Sequence, residues 1–148
     1  MILIAHRGLV NGPNKDIENN PRQIELALKQ GYDCEIDLWV IDDKLWLGHD
    51  LPTYEIELGF IATAGLWIHA KNLDALYWLT KTNLNYFWHE EDQFTLTSHR
   101  YIWTYPGKTL TKNSVMVMPE WNDPLFENID KNCFGICTDY PARLLDKK

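Results

Sequence analysis

Two histidines, an arginine and several carboxylates fall where apolar, strand-like runs of this chain give way to loops. His6-Arg7-Gly8 ends the run Ile2 to Ala5, and Glu18-Asn19 follows in the next loop. Glu35-Ile36-Asp37 lies inside an alternating segment, and Gly48-His49-Asp50 closes a short hairpin pattern. Imidazole titrates near neutral pH and can take or give a proton. Guanidinium offers a planar fork that matches two phosphate oxygens. Glu35 and Asp37 are two apart on a predicted strand, so both point to one side, where they repel unless a cation sits between them. Each motif alone has a plainer reading, as a strand-end pair, a solvated strand face or a capping turn. Together they supply what metal-assisted chemistry on a phosphate ester requires.

The elements that must hold these groups are short and recurrent. Ile2 to Ala5 reads as a buried strand. Pro21 to Gln30 has helical spacing, with Asn20 as N-cap, Pro21 at the first helical position and Gly31 as the stop. Cys34 to Val40 alternates, placing Glu35, Asp37 and Trp39 on one face. Asp42-Asp43 is a turn signal before a returning strand, Leu45 to Leu47. Leu66 to Ala70, Asn85 to His89, Arg100 to Tyr105, Ser114 to Met118 and Phe134 to Cys137 read as further strands. Leu73 to Lys81 reads as a helix capped by Asn72, and Pro141 onward as a short terminal helix or tail. Strand–helix alternation with buried strands argues a parallel sheet. His6, Lys71, His89, Glu120 and Asp139 all sit at strand C-terminal ends, where a (β/α) barrel keeps its active site. The expectation is an α/β fold: a single domain over residues 1–148, built as a compact, trimmed TIM-like (β/α) barrel with several helices shortened to loops.

The chain has 148 residues, a hydrophobic fraction of 45%, seven tryptophans and a formal charge of −7. That composition supports a packed core, and its charge opposes nucleic acid and anionic membranes. An anionic substrate then needs local positive charge, which a divalent cation, Arg7 and Lys71 supply. Cys34, Cys133 and Cys137 have no framework spacing and read as reduced, mostly buried thiols. The apolar start, Met1 to Ala5, is too short for a signal peptide, and no window approaches a transmembrane helix. A cytoplasmic location is expected, with a homo-oligomer as one way of covering the gaps that missing helices leave.

Ile4-Ala5-His6-Arg7-Gly8, Glu18-Asn19, Gly31 to Asp37, Gly48-His49-Asp50 and Gly135 to Pro141 resemble the glycerophosphodiester phosphodiesterase family. The likeness is dense over residues 1–50, clear at the last strand and thin between. It implies a (β/α) barrel that binds a divalent cation, magnesium or calcium, and acts in lipid metabolism. It implies that His6 and His49 are the acid and base pair, that Arg7 and Lys71 contact the phosphate, and that Glu35 and Asp37 are metal ligands. The family's third metal carboxylate lies two residues before a lysine on the next strand. Lys71 matches that lysine, and the position two before it holds His69.

His69 leaves several readings open: a ligand to a softer metal such as manganese or zinc, a shell completed instead by Glu120 or Glu90, a metal-poor site, or a packed strand histidine. Glu18 is expected to position Arg7 or a histidine, and Asp50 to orient His49. His89 and Glu120 remain candidates at strand ends. Trp39 is expected as a pocket wall, where an aromatic face could hold a choline-like headgroup. The leading expectation is a metal-dependent phosphodiesterase acting on a small-molecule glycerophosphodiester or related ester by His/His acid–base catalysis. The alternative is a weak or inactive barrel that binds a phosphorylated ligand or protein partner. A related lipid phosphodiesterase is a third reading.

Overall fold

The computed structural model describes residues 1–145; the end of the expected terminal tail lies outside the described residues. Ten strands follow in chain order: β1 (Ile2–His6), β2 (Asp33–Ile41), β3 (Lys44–Leu47), β4 (Tyr54–Ile56), β5 (Leu66–Ala70), β6 (Tyr86–Phe87), β7 (Phe94–Leu96), β8 (Ile102–Thr104), β9 (Ser114–Val117) and β10 (Gly135–Thr138). The helices are α1 (Pro21–Lys29), α2 (Leu58–Ile61), α3 (Leu73–Leu79) and α4 (Pro141–Leu145). Seven strands run parallel in the order β6-β5-β2-β1-β10-β9-β8, and β7 is added antiparallel beside β8. β2 outruns its parallel neighbours. Its last residues pair antiparallel with β3, which pairs with β4, to form a projecting arm.

The trimmed TIM-like barrel expected from the sequence does not form. The sheet curls into a half-barrel with four short helices among the described residues. A TIM barrel closes eight parallel strands, each followed by a helix. Here β6 has two residues, and no strand ladder joins it to β7 or β8. The gap is crossed by a turn: the Ser98 N–H donates to the Tyr86 carbonyl (2.8 Å), and the Tyr86 N–H donates to Ser98 Oγ (2.9 Å). Beyond β6 no crossover helix forms: residues 105–113 between β8 and β9 fall short of the about 10–12 that a crossover needs, and the longer stretch 118–134 between β9 and β10 holds only a 3-10 turn, Pro119–Trp121. β7 occupies the stretch between β6 and β8, where the sequence suggested no element.

Local signals explain the elements that do form. Asn20 accepts from the Arg22 N–H, Pro21 opens α1, and Gly31 follows it at φ +89°. Asp42 and Asp43 both adopt positive φ, the geometry of the tight hairpin turn between β2 and β3. The convex face of the sheet buries Ala5, Cys34, Ile36 and Ile68 beneath Ile24, Ala27, Ala75 and Leu79 of α1 and α3. A second cluster of Ile4, Trp67, Phe87, Trp103, Val115 and Cys137 fills the concave face. The Phe87 and Trp103 rings lie 4.6 Å apart, so side chains meet across the gap where the backbone does not.

Strand alternation turns this apolar floor into a platform. Two residues beyond Ile4, Trp67, Phe87 and Cys137 come His6, His69, His89 and Asp139, carried to the same face at the C-terminal rim. Asn72 ties the rim to the convex side. Its Oδ1 accepts from the Ala75 N–H (3.0 Å) and the Val40 N–H (3.2 Å), and its Nδ2 donates to the Val40 carbonyl (2.9 Å). Asn72→Ala removes the α3 cap and strands two polar groups of a buried residue. It is expected to cost about 2 kcal/mol in denaturant unfolding; a loss under 0.5 kcal/mol would show that the clamp is not needed.

Candidate active site

A cavity of about 370 Å³ opens on the C-terminal rim, and His6, Arg7, Glu35, Asp37, His69 and Lys71 form its charged wall, with His49 beside them. A second cavity, of about 340 Å³, lies around Asp33, Trp67 and Asn85 and contains one carboxylate but no lysine or arginine.

Asp37 is the centre of the charged wall at 1% exposure. Its Oδ2 accepts from Asn19 Nδ2 (2.8 Å), and its own N–H donates to Asn19 Oδ1 (2.9 Å). His69 Nδ1 lies 3.1 Å from Oδ1. Arg7 Nε and His49 Nδ1 stand 3.4 Å from Oδ2, and Lys71 Nζ stands 3.8 Å from Oδ1. Burial acts to raise the Asp37 pKa, but His49, His69 and Arg7 outweigh it and hold the carboxyl well below its usual range.

Glu35, one register step back on the same face, is treated differently. It is 3% exposed and accepts the Arg7 backbone N–H (3.2 Å), which the left-handed turn at Arg7, φ 52°, aims at it. Burial first, then the Asp37 charge, raise its pKa against the pull of His6, His69 and Arg7. Two buried carboxylates thus share one face with compensation concentrated on the second.

His69 completes this pair. One ligand atom each from Glu35, Asp37 and His69 fit within 4.8 Å of one another. His69 Nε2 lies 3.0 Å from the His89 carbonyl, which can only accept, so Nε2 carries a proton. Nδ1 then points at the carboxylates, 3.1 Å from Asp37 and 3.9 Å from Glu35. A histidine ligand generally fixes its tautomer by donating its other ring N–H to a carbonyl or carboxylate. The donor set of two carboxylates and one imidazole therefore fits a divalent cation, and the nitrogen ligand inclines it toward manganese or zinc over calcium.

His6 flanks the Glu35 end. Its Nδ1–H donates to Asp139 Oδ1 (2.8 Å), leaving Nε2 3.8 Å from Glu35 Oε2. Burial lowers the His6 pKa, but the Asp139 bond and the Glu35 charge leave it raised. Asp139 is itself set by Glu120, whose Oε1 accepts from the Asp139 N–H (3.0 Å) and Thr138 Oγ1 (2.7 Å). His49 flanks the Asp37 end, one-third exposed. Gly48 places it there, because a Cβ at that position would collide with the Leu51 carbonyl oxygen. Arg7 is held by Glu18 Oε2, which accepts from its Nη1 at 2.9 Å.

Other expected residues lie elsewhere. Trp39 is not part of the cavity wall; it sits opposite Trp46 on the arm and donates Nε1–H to the Gly48 carbonyl. Asp50 is three-quarters exposed and 3.7 Å from His49, too loose to set a tautomer. Glu120 braces Asp139 and does not complete a metal shell. His89 contributes its carbonyl to His69, while its ring faces Asp92 at 3.4 Å; burial and His69 lower its pKa. From the sequence, Asn19 stood only within a motif and Asp139 only as a polar residue at a strand end, and neither was given its role. Asn19 is buried at φ 58°, and neither that burial nor its bond to Asp37 follows from the spacing of the motifs. All three cysteines are free and buried, and burial pushes Cys34 up to about 12.

No protein-family model matches this chain, and neither a curated protein nor a solved structure matches it. No helix among the described residues is long and apolar enough to cross a membrane.

Because the folded pKa of Glu35 is raised, ionising it opposes folding. The penalty is absent below the ordinary carboxyl pKa, near pH 4, and grows as pH rises past it. Glu35→Gln, measured in chelator, should therefore be more stable than wild type by about 1–2 kcal/mol at pH 7, with the difference vanishing near pH 4. It should also lose any rise in melting temperature that added manganese gives the wild type. Equal metal-induced stabilisation of both proteins would remove Glu35 from the ligand set.

Proposed function

We propose that this chain is a metal-dependent phosphodiesterase acting on glycerophosphodiesters or related esters, the activity that its likeness to the glycerophosphodiester phosphodiesterase family implies. One observation carries the reading. A three-residue donor set is flanked by a histidine at each end, His6 beside Glu35 and His49 beside Asp37, with two cations, Arg7 and Lys71, on the same wall.

A divalent cation held by Glu35, Asp37 and His69 would polarise the phosphoryl group and offset its charge. Arg7, braced by Glu18 and Asp37, presents its guanidinium to the phosphate, and Lys71 adds a second positive charge. Asp139 holds the His6 tautomer with Nε2 free to exchange a proton. One histidine takes the proton of the attacking hydroxyl, and the other gives a proton to the departing alkoxide. By resemblance, the attacking group is the substrate's neighbouring hydroxyl and the first product a cyclic phosphate. The apolar floor beneath His6 and His69 keeps the charged wall rigid and partly dry.

A second reading, a module that binds a phosphorylated ligand without turnover, is favoured by the surroundings of Asp37. Arg7, His49, His69 and Lys71 already neutralise that carboxylate.

The test is hydrolysis of a glycerophosphodiester panel with magnesium, calcium, manganese or zinc, with chelator controls. Turnover is expected to need metal, and His6→Ala and His49→Ala should each lower kcat/KM by about 10²–10⁴-fold. Full activity in both variants would sink the phosphodiesterase reading. Folded protein with no turnover, but Arg7-dependent phosphate binding, would establish the second.

A further inference from the structure

The cavity has two unlike walls. Opposite the charged wall stand Trp103, Tyr105, Pro106, Val117, Met118 and Trp121, none of which carries a formal charge. Trp103 belongs to the apolar floor at 5% exposure, whereas Tyr105 and Trp121 are 43% and 61% exposed at the rim. Their rings meet edge to face with centroids 6.4 Å apart. A lone exposed tryptophan needs no explanation. This one continues a buried aromatic surface outward from the reacting groups.

Its position is fixed at some cost. Trp121 ends a short 3-10 turn, Pro119–Trp121, entered through Met118 at φ 45° and ψ 52°, a left-handed conformation unfavourable for a non-glycine residue. The Met118 N–H is tied to the Cys137 carbonyl (2.8 Å), and the Trp121 N–H to the Met118 carbonyl (3.1 Å). Glu120, in the same turn, accepts from Thr138 and Asp139. The strand end that orients His6 thus also anchors the turn that bears Trp121.

We infer that this wall is a specificity subsite for the second alcohol of the phosphodiester, and that it selects a neutral, apolar alcohol. The inference rests on the phosphodiesterase reading and adds to it the class of the second alcohol. The ester oxygen of the second alcohol must stay within reach of the histidine that protonates it, and its carbon substituents then extend toward Tyr105 and Trp121 in the same cavity. A polyol there would leave its hydroxyls facing groups with little hydrogen-bonding capacity. A cationic headgroup would find no anion on that wall; of the acidic residues elsewhere in the lining, Glu35 and Asp37 are buried among the basic groups and Glu90 is exposed. An apolar group instead buries its surface against rings and aliphatic side chains.

Three glycerophosphodiesters that share the glycerol side test this: the glycerol ester, the choline ester, and the 3,3-dimethylbutyl ester, which is the neutral carbon isostere of choline. Wild type is expected to favour the dimethylbutyl ester over both others by about tenfold or more in kcat/KM, the discrimination a few apolar groups provide. Trp121→Ala should collapse that ratio to within about threefold, Tyr105→Ala should reduce it, and Trp121→Phe should restore most of it. Choline favoured over its isostere would overturn the inference in favour of a cation-binding aromatic cage. Turnover of all three without preference, or a preference indifferent to Trp121 and Tyr105, would also overturn it while leaving the phosphodiesterase reading intact. No turnover of any ester would overturn both.

Discussion

Everything at the rim answers to two carboxylates buried two residues apart on one face of one strand. Unpaired buried charge is expensive, and adjacent like charges compound the cost. The chain meets this by drawing partners for Asp37 from three other segments: Arg7 and Asn19 from the loop after β1, His49 from the arm, and His69 and Lys71 from the end of β5 and the residue after it. Glu35 is left with a backbone N–H and more distant imidazoles, and its pKa rises. That imbalance suits a site poised for a cation, since a cation between Glu35, Asp37 and His69 supplies the compensation Glu35 lacks. It also makes the charged wall a set of mutual constraints, because shifting Asp37 disturbs every basic group proposed to meet the phosphate.

The half-barrel shows how much scaffold such a wall needs. The charged residues come from β1, β2, β5 and the loops that follow them, and these strands are the best-paired part of the sheet, with α1 and α3 packed behind. The far side of the bowl can be cheaper. β8 and β9 are short and carry an aromatic wall whose packing tolerates an unclosed backbone. The ring contact between Phe87 and Trp103 substitutes for hydrogen bonds between β6 and its missing neighbour. Loss of helices and loss of closure thus fall on the side that carries no ionisable groups of the proposed chemistry.

Much of this was legible in the sequence where one local signal sufficed. Alternation from Cys34 to Val40 put Glu35 and Asp37 on one face, Asn20 and Pro21 marked the start of α1, and Asp42-Asp43 marked the hairpin. Closure was not legible, because it depends on the length of β6 and on short connections rather than on any motif. Polar residues at strand ends show where a site lies in a parallel sheet, yet say nothing of whether the sheet meets itself. Trp39 was assigned to the right face but the wrong place, since β2 runs past the bowl and joins the arm at Trp39 and Trp46. The Asp139 bond to His6 spans nearly the whole chain, and no spacing rule reveals such a pairing. The aromatic wall was hidden for the same reason, being assembled from two segments, the ends of β8 and β9, that no single pattern links.

The central claim is that Glu35, Asp37 and His69 together hold a divalent cation. Crystals grown with manganese and measured at the manganese absorption edge test it most directly. The account predicts one anomalous peak enclosed by these three side chains, with His69 approaching through Nδ1. A peak elsewhere, or none at saturating manganese while the His69 ring stays bonded to Asp37, would contradict it.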